Sequence, residues 1–509
     1  MNILFLAAEA APFASTGGLG EVIASLPLAL NSANTNSRHA ESGRRELQKR
    51  EDQAASFGQR HSRERGNDEN LALHQQDINC RVLLPAYQKI SQPCKALSEW
   101  TMDFDGKSIS VILKETIDTE LPLYLLDIPT YFNRDQLYGY EDDILRFGAF
   151  CEAALLAQKY FCEHDWEVDA IHCHDWHTAL FPVYKSTFNA PGKVLLTIHN
   201  LAYQGVCDPT FLSRLGLPSE LFNMHQLEFW GKLNSFKGGL VFADAISTVS
   251  PTYAKEIQTA EFGSGLEDVL KERSDRLFGV INGIDQDVWN PQKDIHLNAH
   301  YSAQDASGKV ICKTQLQKLG YLKVDSKIPL VGMVTRLTAQ KGIDLLLATF
   351  DKIMKLGIQL VILGDGEPEL IAALKVLSSK YKNQVSLTTG VFDVALAHQI
   401  YAGSDLFLMP SHFEPCGLAQ MISMRYGTIP IVRKTGGLAD TVQHFPESAD
   451  SGNGFVFESY EPEALLEVVH EAVSCFKSTD WSQLRQNAFA ADFSWQQSAL
   501  EYKKIYLSL

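Results

Sequence analysis

The chain has no Cys-x-x-Cys pair and no even, closely spaced cysteine framework, so its nine cysteines read as reduced, mostly buried thiols. It has no uncharged apolar run long enough to span a bilayer, so no membrane-spanning helix is expected. No secretory leader is expected, since Met1 to Leu6 runs straight into Glu9 without a basic stretch or a cleavage region. The cytoplasm is the expected compartment. Basic residues are in the minority, 45 Lys and Arg against 61 Asp and Glu, for a formal net charge of -16. General affinity for nucleic acid or anionic membrane needs a broad basic field and is therefore not expected. An anionic ligand must instead meet a local cluster of Lys and Arg.

What is present is ordinary globular material: 509 residues, 45% hydrophobic and 21% charged, enough for two or three domains with buried cores. Ile3 to Ala8 is a short apolar run, followed by Ala11-Pro12, the Gly17-Gly18 turn and a helical stretch from Glu21 to Leu30. This is the opening β-loop-α unit of a doubly wound sheet. Further strands are expected at Arg81 to Leu84, Leu123 to Leu126, Ala170 to His172, Val194 to Ile198 and Ala245 to Val249, forming a mostly parallel sheet. Between Asn31 and Asp77 the pattern fails. That segment is rich in Arg, Glu, Gln, Asn and Ser and buries too little apolar surface to offset its ordering entropy, so it reads as a disordered surface insertion or a partner-binding arm. A second α/β series follows Ile281-Asn282-Gly283-Ile284-Asp285, with strands expected at Leu330 to Val334, Leu360 to Leu363, Val385 to Leu387, Leu406 to Met409 and Ile429 to Val432. Trp481 to Leu509 is helical in pattern.

One phrase occurs twice, as Thr16-Gly17-Gly18-Leu19-Gly20-Glu21 and as Thr435-Gly436-Gly437-Leu438-Ala439-Asp440. Each copy sits where a strand hands over to a helix, where backbone N–H groups and the helix dipole favour an anion. Two α/β domains each presenting a Gly-rich turn to one ligand point to an enzyme acting on a phosphorylated donor; taken singly, each turn reads first as a plain tight turn, and the second copy reverses that order. Arg336 and Lys341 stand five residues apart at another strand-to-helix junction, the local cation cluster that a diphosphate needs. Glu414, in Met409 to Leu418, follows a strand and opens a helix, where it can accept sugar hydroxyls or simply cap. His172-Cys173-His174-Asp175-Trp176-His177 contains metal-ligand types, but alternate residues of a strand end point to opposite faces, and no metal is expected. His174 is the better candidate for a substrate contact. His199-Asn200 is open to two readings, a second substrate contact or a satisfied core histidine.

Taken in order, these phrases resemble the bacterial glycogen synthase family, which plant starch synthases share. Arg81-Val82-Leu83-Leu84-Pro85, His199 to Gly205, Val249 to Ala254, Asn282-Gly283-Ile284-Asp285 and Asp492-Phe493-Ser494-Trp495 agree as well. The resemblance implies a GT-B architecture, two Rossmann-like domains facing a deep cleft: residues 1–285 for the glucan acceptor, 286–482 for the nucleotide-sugar donor, and a C-terminal helix within 483–509 that crosses back. It implies α-glucosyl transfer from ADP-glucose to the non-reducing 4-hydroxyl of an α-1,4-glucan, with retention and with no cofactor or metal. It further implies that Arg336 and Lys341 hold the diphosphate, that Glu414 and the backbone at Cys416 and Gly417 hold the glucosyl hydroxyls with Leu418 also at the donor, and that His174 contacts the sugar near the reacting carbon. Ser15, Gly17, Gly18, Thr435, Gly436 and Gly437 would line the donor, with Phe392 against the base. Glu21, Asp175, His199 and Asn200 would serve the acceptor or sugar.

Three positions depart from the family pattern. Ser15 stands where lysine is usual, His412 where arginine is usual, and Glu21 where aspartate is usual. Loss of one hydrogen bond from a charged group costs about 1.5 to 3 kcal/mol, which slows an enzyme without abolishing its chemistry. The alternatives are a related glucosyltransferase with another donor or acceptor, and a glucan-binding or regulatory protein whose catalysis has decayed.

Overall fold

The computed structural model describes residues 1–32, 77–445 and 452–509. The expected insertion from Asn31 to Asp77 falls, over residues 33–76, outside the described residues. The chain divides into two compact units. Unit 1 contains Met1–Val249, Ala254–Val280 and Trp495–Leu509; unit 2 contains Ser250–Tyr253 and Ile281–Ser494.

Unit 1 carries β1 (Asn2–Leu6), β2 (Asn79–Pro85), β3 (Cys94–Phe104), β4 (Lys107–Thr116), β5 (Leu123–Asp127), β6 (Ala170–His174), β7 (Lys193–Ile198), β8 (Val206–Cys207), β9 (Glu228–Phe229), β10 (Lys232–Asn234), β11 (Ala245–Thr248) and β12 (Leu277–Gly279). Nine of these form one sheet in the order β12-β11-β7-β6-β1-β2-β5-β4-β3. It is parallel from β12 to β5, and its central strands are buried on both faces, which is why they read as continuous apolar runs. The reading from apolar runs missed β3 and β4, which pair antiparallel around Asp105-Gly106. Both turn residues have positive φ, 52° and 67°, the geometry of a two-residue hairpin that Asp-Gly favours. A small antiparallel sheet, β8-β10-β9, was also not expected.

The expected C-terminal helical stretch is two helices. Trp481–Ala490 lies in unit 2, and Trp495–Ser508 buries Trp495, Ala499, Tyr502, Ile505 and Tyr506 in the unit 1 core beside Ile3 and Phe5. No described helix is long and apolar enough to cross a membrane. All nine cysteines are free thiols.

Unit 2 carries β13 (Leu330–Val334), β14 (Gln359–Leu363), β15 (Val385–Thr388), β16 (Leu406–Met409), β17 (Ile429–Arg433) and β18 (Phe455–Phe457) in one parallel sheet, ordered β15-β14-β13-β16-β17-β18. The strand order reverses between β13 and β16 in unit 2, and between β1 and β6 in unit 1. Ligands of doubly wound sheets bind beyond the carboxyl ends of the strands at such switch points. The fold therefore singles out the loops after β1, β6, β13 and β16.

Candidate active site

In unit 2 the loop after β13 holds Arg336 and Lys341, and the loop after β16 holds Glu414. Parallel pairing of β13 with β16 brings these loops together. Lys341 Nζ donates to Glu414 Oε2 at 2.6 Å, and Ser411 Oγ donates to the same oxygen at 3.1 Å. The pair is largely shielded, with side-chain exposures of 16% and 8%, so its attraction is screened far less than that of a surface pair. Gly342 ends the Lys341 turn at φ 74°, and a Cβ there would stand 2.0 Å from the Pro410 carbonyl oxygen. Only glycine allows the two loops to approach this closely. Arg336 is exposed, its guanidinium 3.4 Å from Gln340 Oε1. Gln340 in turn holds the second loop, its carbonyl accepting the His412 N–H at 2.8 Å. The main-chain carbonyl of His412 accepts from Arg433 Nη1 at 2.5 Å. Phe392 stands after β15 with 61% of its surface exposed.

Two sequence expectations in unit 2 need correction. Glu414 does not open a helix, because the helix after β16 starts only at Ala419. Gly436 and Gly437 do not face outward. A Cβ on Gly436 would meet the Glu414 carbonyl oxygen at 2.0 Å, a Cβ on Gly437 would meet that of Cys416 at 2.1 Å, and the Gly437 N–H donates to the Glu414 and Pro415 carbonyls at 3.1 Å. These glycines, having no side chain, allow the close approach of protein backbone. With Thr435, which is 1% exposed, they form the support behind Glu414. Cys416 is buried too, its thiol pushed up to about 12 by burial, while Gly417 and Leu418 are half-buried. Asp440, from the same phrase, accepts from Ser250 Oγ and Thr252 Oγ1, both at 2.6 Å.

In unit 1 the Gly-rich loop follows β1, and Thr16, Gly17, Gly18 and Glu21 are exposed. A Cβ on Gly17 would meet nothing within 4 Å. Its N–H is nevertheless not free for a phosphate: it donates to Glu9 Oε2 at 3.3 Å, beside the Thr16 N–H at 2.5 Å. The sequence reading missed Glu9, whose signal is an isolated acid inside the small-residue run Ala7 to Ala11. Burial raises its carboxyl above the ordinary range, and the Thr16 donors pull it back. Ser15, at the head of the loop, turns its hydroxyl to the Gly17 carbonyl at 3.3 Å.

The ends of β6 and β7 gather His174, Asp175, His199 and Asn200. His174 Nδ1 lies 2.9 Å from His199 Nε2, and Asp175 Oδ1 accepts the N–H groups of His199 at 2.7 Å and Asn200 at 3.4 Å. Burial raises the Asp175 carboxyl to about 7 and lowers His199 to about 3, so the imidazole is neutral near pH 7. His174 is fully buried, stacked on Phe5, and its Nε2 is without a hydrogen-bond partner among the described residues. His172 is structural, bonded to Tyr506 Oη at 2.8 Å and Thr197 Oγ1 at 2.6 Å. Among the described residues no group of three or more His, Cys, Asp or Glu is arranged to hold a metal ion.

The starch synthase catalytic domain family matches residues 2–58 and 70–272, and glycosyl transferases group 1 match residues 320–488. The first match runs on to residue 58, well inside the segment that had no counterpart in the quoted motifs. The chain is 39% identical to a glycogen synthase of Geotalea uraniireducens, over 99% of this chain and 98% of the relative. It is 40% identical to one of Clostridium beijerinckii, over 100% and 99%. The catalytic domain of starch synthase IV from Arabidopsis thaliana, solved bound to ADP and acarbose, superposes with a TM-score of 0.82 at 33% identity, over 99% of this chain and 98% of that one. On its motifs, its two doubly wound sheets and these full-length likenesses, the chain belongs to the glycogen and starch synthase family of glycosyltransferases and has their GT-B fold.

Proposed function

We propose that the protein elongates glycogen, transferring the α-glucosyl unit of ADP-glucose to the non-reducing 4-hydroxyl of an α-1,4-glucan with retention at the anomeric carbon. The observation that carries the reading is the shielded Lys341–Glu414 pair at the switch point of unit 2, in a chain so similar along its length to glycogen synthases. At rest the lysine is bonded to the glutamate. An arriving diphosphate competes for the ammonium, and Arg336, exposed beside it, adds a planar fork for the same oxygens. Drawing Lys341 away leaves Glu414 as an acceptor for glucosyl hydroxyls, with Ser411 still holding one oxygen. Phe392 offers its exposed ring to the adenine.

In the transfer the bond from the anomeric carbon to the diphosphate oxygen breaks, the bond to the acceptor oxygen forms on the same face, and the acceptor's proton passes to the leaving diphosphate. Lys341 and Arg336 stabilise the charge that grows on that diphosphate as the bond breaks. Within unit 1 the neutral His174–His199 pair and Asn200, at the strand ends, offer polar groups to a sugar, with Asp175 fixing the His199 backbone. ADP-glucose is a substrate in this scheme, and no cofactor enters it.

The test is glucosyl incorporation into a glycogen primer with ADP-glucose and UDP-glucose in parallel. Preferred incorporation from ADP-glucose, with the product sensitive to an α-1,4-specific hydrolase, is expected. Preference for UDP-glucose would reassign the donor, and primer binding without incorporation from either donor would make the protein a glucan binder.

A further inference from the structure

We propose that Glu9 is a positioning residue for the transfer, its carboxylate tying the first Gly-rich loop to Tyr138 and so to the segment that carries His174 to His177. The proposal rests on the transfer reading above and names a residue which that reading does not use.

Glu9 lies three residues beyond β1 and is 4% exposed. Four donors converge on its two oxygens. Oε2 takes the N–H groups of Thr16 and Gly17, and Oε1 takes the Thr16 hydroxyl at 2.9 Å and the Tyr138 hydroxyl. Among the described residues no Lys or Arg forms an ion pair with it, and Lys89 acts on it only through longer-range charge. A carboxylate buried without a cation is costly unless its lone pairs are filled, and here donors from two separate segments fill them. The helical run starting at residue 18 follows directly, so the carboxylate lies by a helix N-terminus, where negative charge is favoured.

The contacts continue away from the loop. The Tyr138 ring lies 4.7 Å from that of His177, and His177 lies 4.3 Å from Trp176. Glu9 thus holds the outward-facing Thr16-Gly17-Gly18 turn from behind and fixes it relative to the strand end that carries the histidines. With serine rather than lysine at position 15, the loop has no cation of its own at its head, and its shape depends on the carboxylate behind it.

The experiment is steady-state kinetics with ADP-glucose and glycogen on the parent, Glu9→Gln, Tyr138→Phe, Thr16→Ser and Thr16→Val, with amide hydrogen exchange over residues 10–20. Glu9→Gln is expected to lower kcat about tenfold or more, the loss of a charge-assisted hydrogen bond in an otherwise folded protein. The apparent KM for glycogen should stay within about twofold, the resolution of such assays on the scale where tenfold is 1.36 kcal/mol. The Thr16 and Gly17 amides should exchange faster. Thr16→Ser, which keeps the hydroxyl, should retain the rate that Thr16→Val loses, and Glu9→Gln combined with Tyr138→Phe should lose less than the sum of the two. An active parent whose Glu9→Gln variant keeps its kcat and its amide protection overturns the proposal and leaves the transfer reading standing. Loss of rate that merely follows loss of folded protein overturns it as well. A parent inactive with every donor overturns the transfer reading itself.

Discussion

Thr16-Gly17-Gly18-Leu19 and Thr435-Gly436-Gly437-Leu438 are the same four residues, each after a strand of a doubly wound sheet, yet their glycines do opposite jobs. In unit 1 the turn faces outward, Gly17 has open space where a Cβ would go, and the polar anchor is Glu9 behind it. In unit 2 the turn is buried, and both glycines let the chain lie against the Glu414 to Cys416 backbone. Glycine permits close approach, but what approaches is decided by the neighbouring loop. In unit 1 that neighbour is a carboxylate, which takes the N–H groups of Thr16 and Gly17; in unit 2 it is the backbone of the very segment that carries the glutamate of the Lys341–Glu414 pair.

The comparison is broken most sharply by adding one methyl group. Gly437→Ala and Gly436→Ala should each destabilise unit 2 by about 3 kcal/mol or more, since the new Cβ overlaps backbone that cannot move aside and, at Gly436, φ is 44°. Urea unfolding followed with the Glu414 segment's amide exchange would show it, and an unchanged midpoint would refute the support role. Lys341→Met should rank next, costing about 1.5 to 3 kcal/mol by leaving Glu414 without its charged partner and removing most transfer activity. Combining it with Glu414→Gln should restore part of the stability but none of the activity, as read by melting temperature and incorporation side by side.

A pH series sharpens the unit 1 side. Asp175, raised to about 7 in the fold against about 3.9 unfolded, contributes stability that is complete below about pH 4 and is lost as the pH rises through 7. Asp175→Asn should therefore gain stability relative to the parent between those limits and stay level above them, measured by unfolding midpoints at several pH values. The smallest effect is expected at Gly17→Ala. With nothing within 4 Å of the added carbon, it should shift stability by no more than about 0.5 kcal/mol, so any loss of transfer there reports on ligand rather than on fold.

Much of the fold was legible because buried parallel strands are continuous apolar runs. Leu330–Val334 and Leu406–Met409 appear in the structure with the expected ends, and the other expected strands differ by a residue or two. The Cys94–Thr116 hairpin was missed because one face of it meets solvent, so its residues alternate instead of running together; the Asp105-Gly106 turn was the available signal. At the site, Lys341 and Glu414 were legible as residue types at strand ends, but their pairing spans 73 positions and depends on β13 lying beside β16. The burial of Gly436 and Gly437 was not legible at all, because an identical phrase is exposed in unit 1.

The sequence by itself determined most of the buried parallel strands and the ordered phrases that mark the family, since each of these is written in residues close together along the chain. Tertiary structure alone decided the partners. It set Glu9 behind the first glycine turn, Glu414 on Lys341, Asp175 on the backbone of His199, and Tyr506 on His172 across 334 positions. The physical reason is that a hydrogen bond or ion pair forms wherever strand order brings its two groups within about 3 Å, and strand order is a property of the whole sheet rather than of any local stretch.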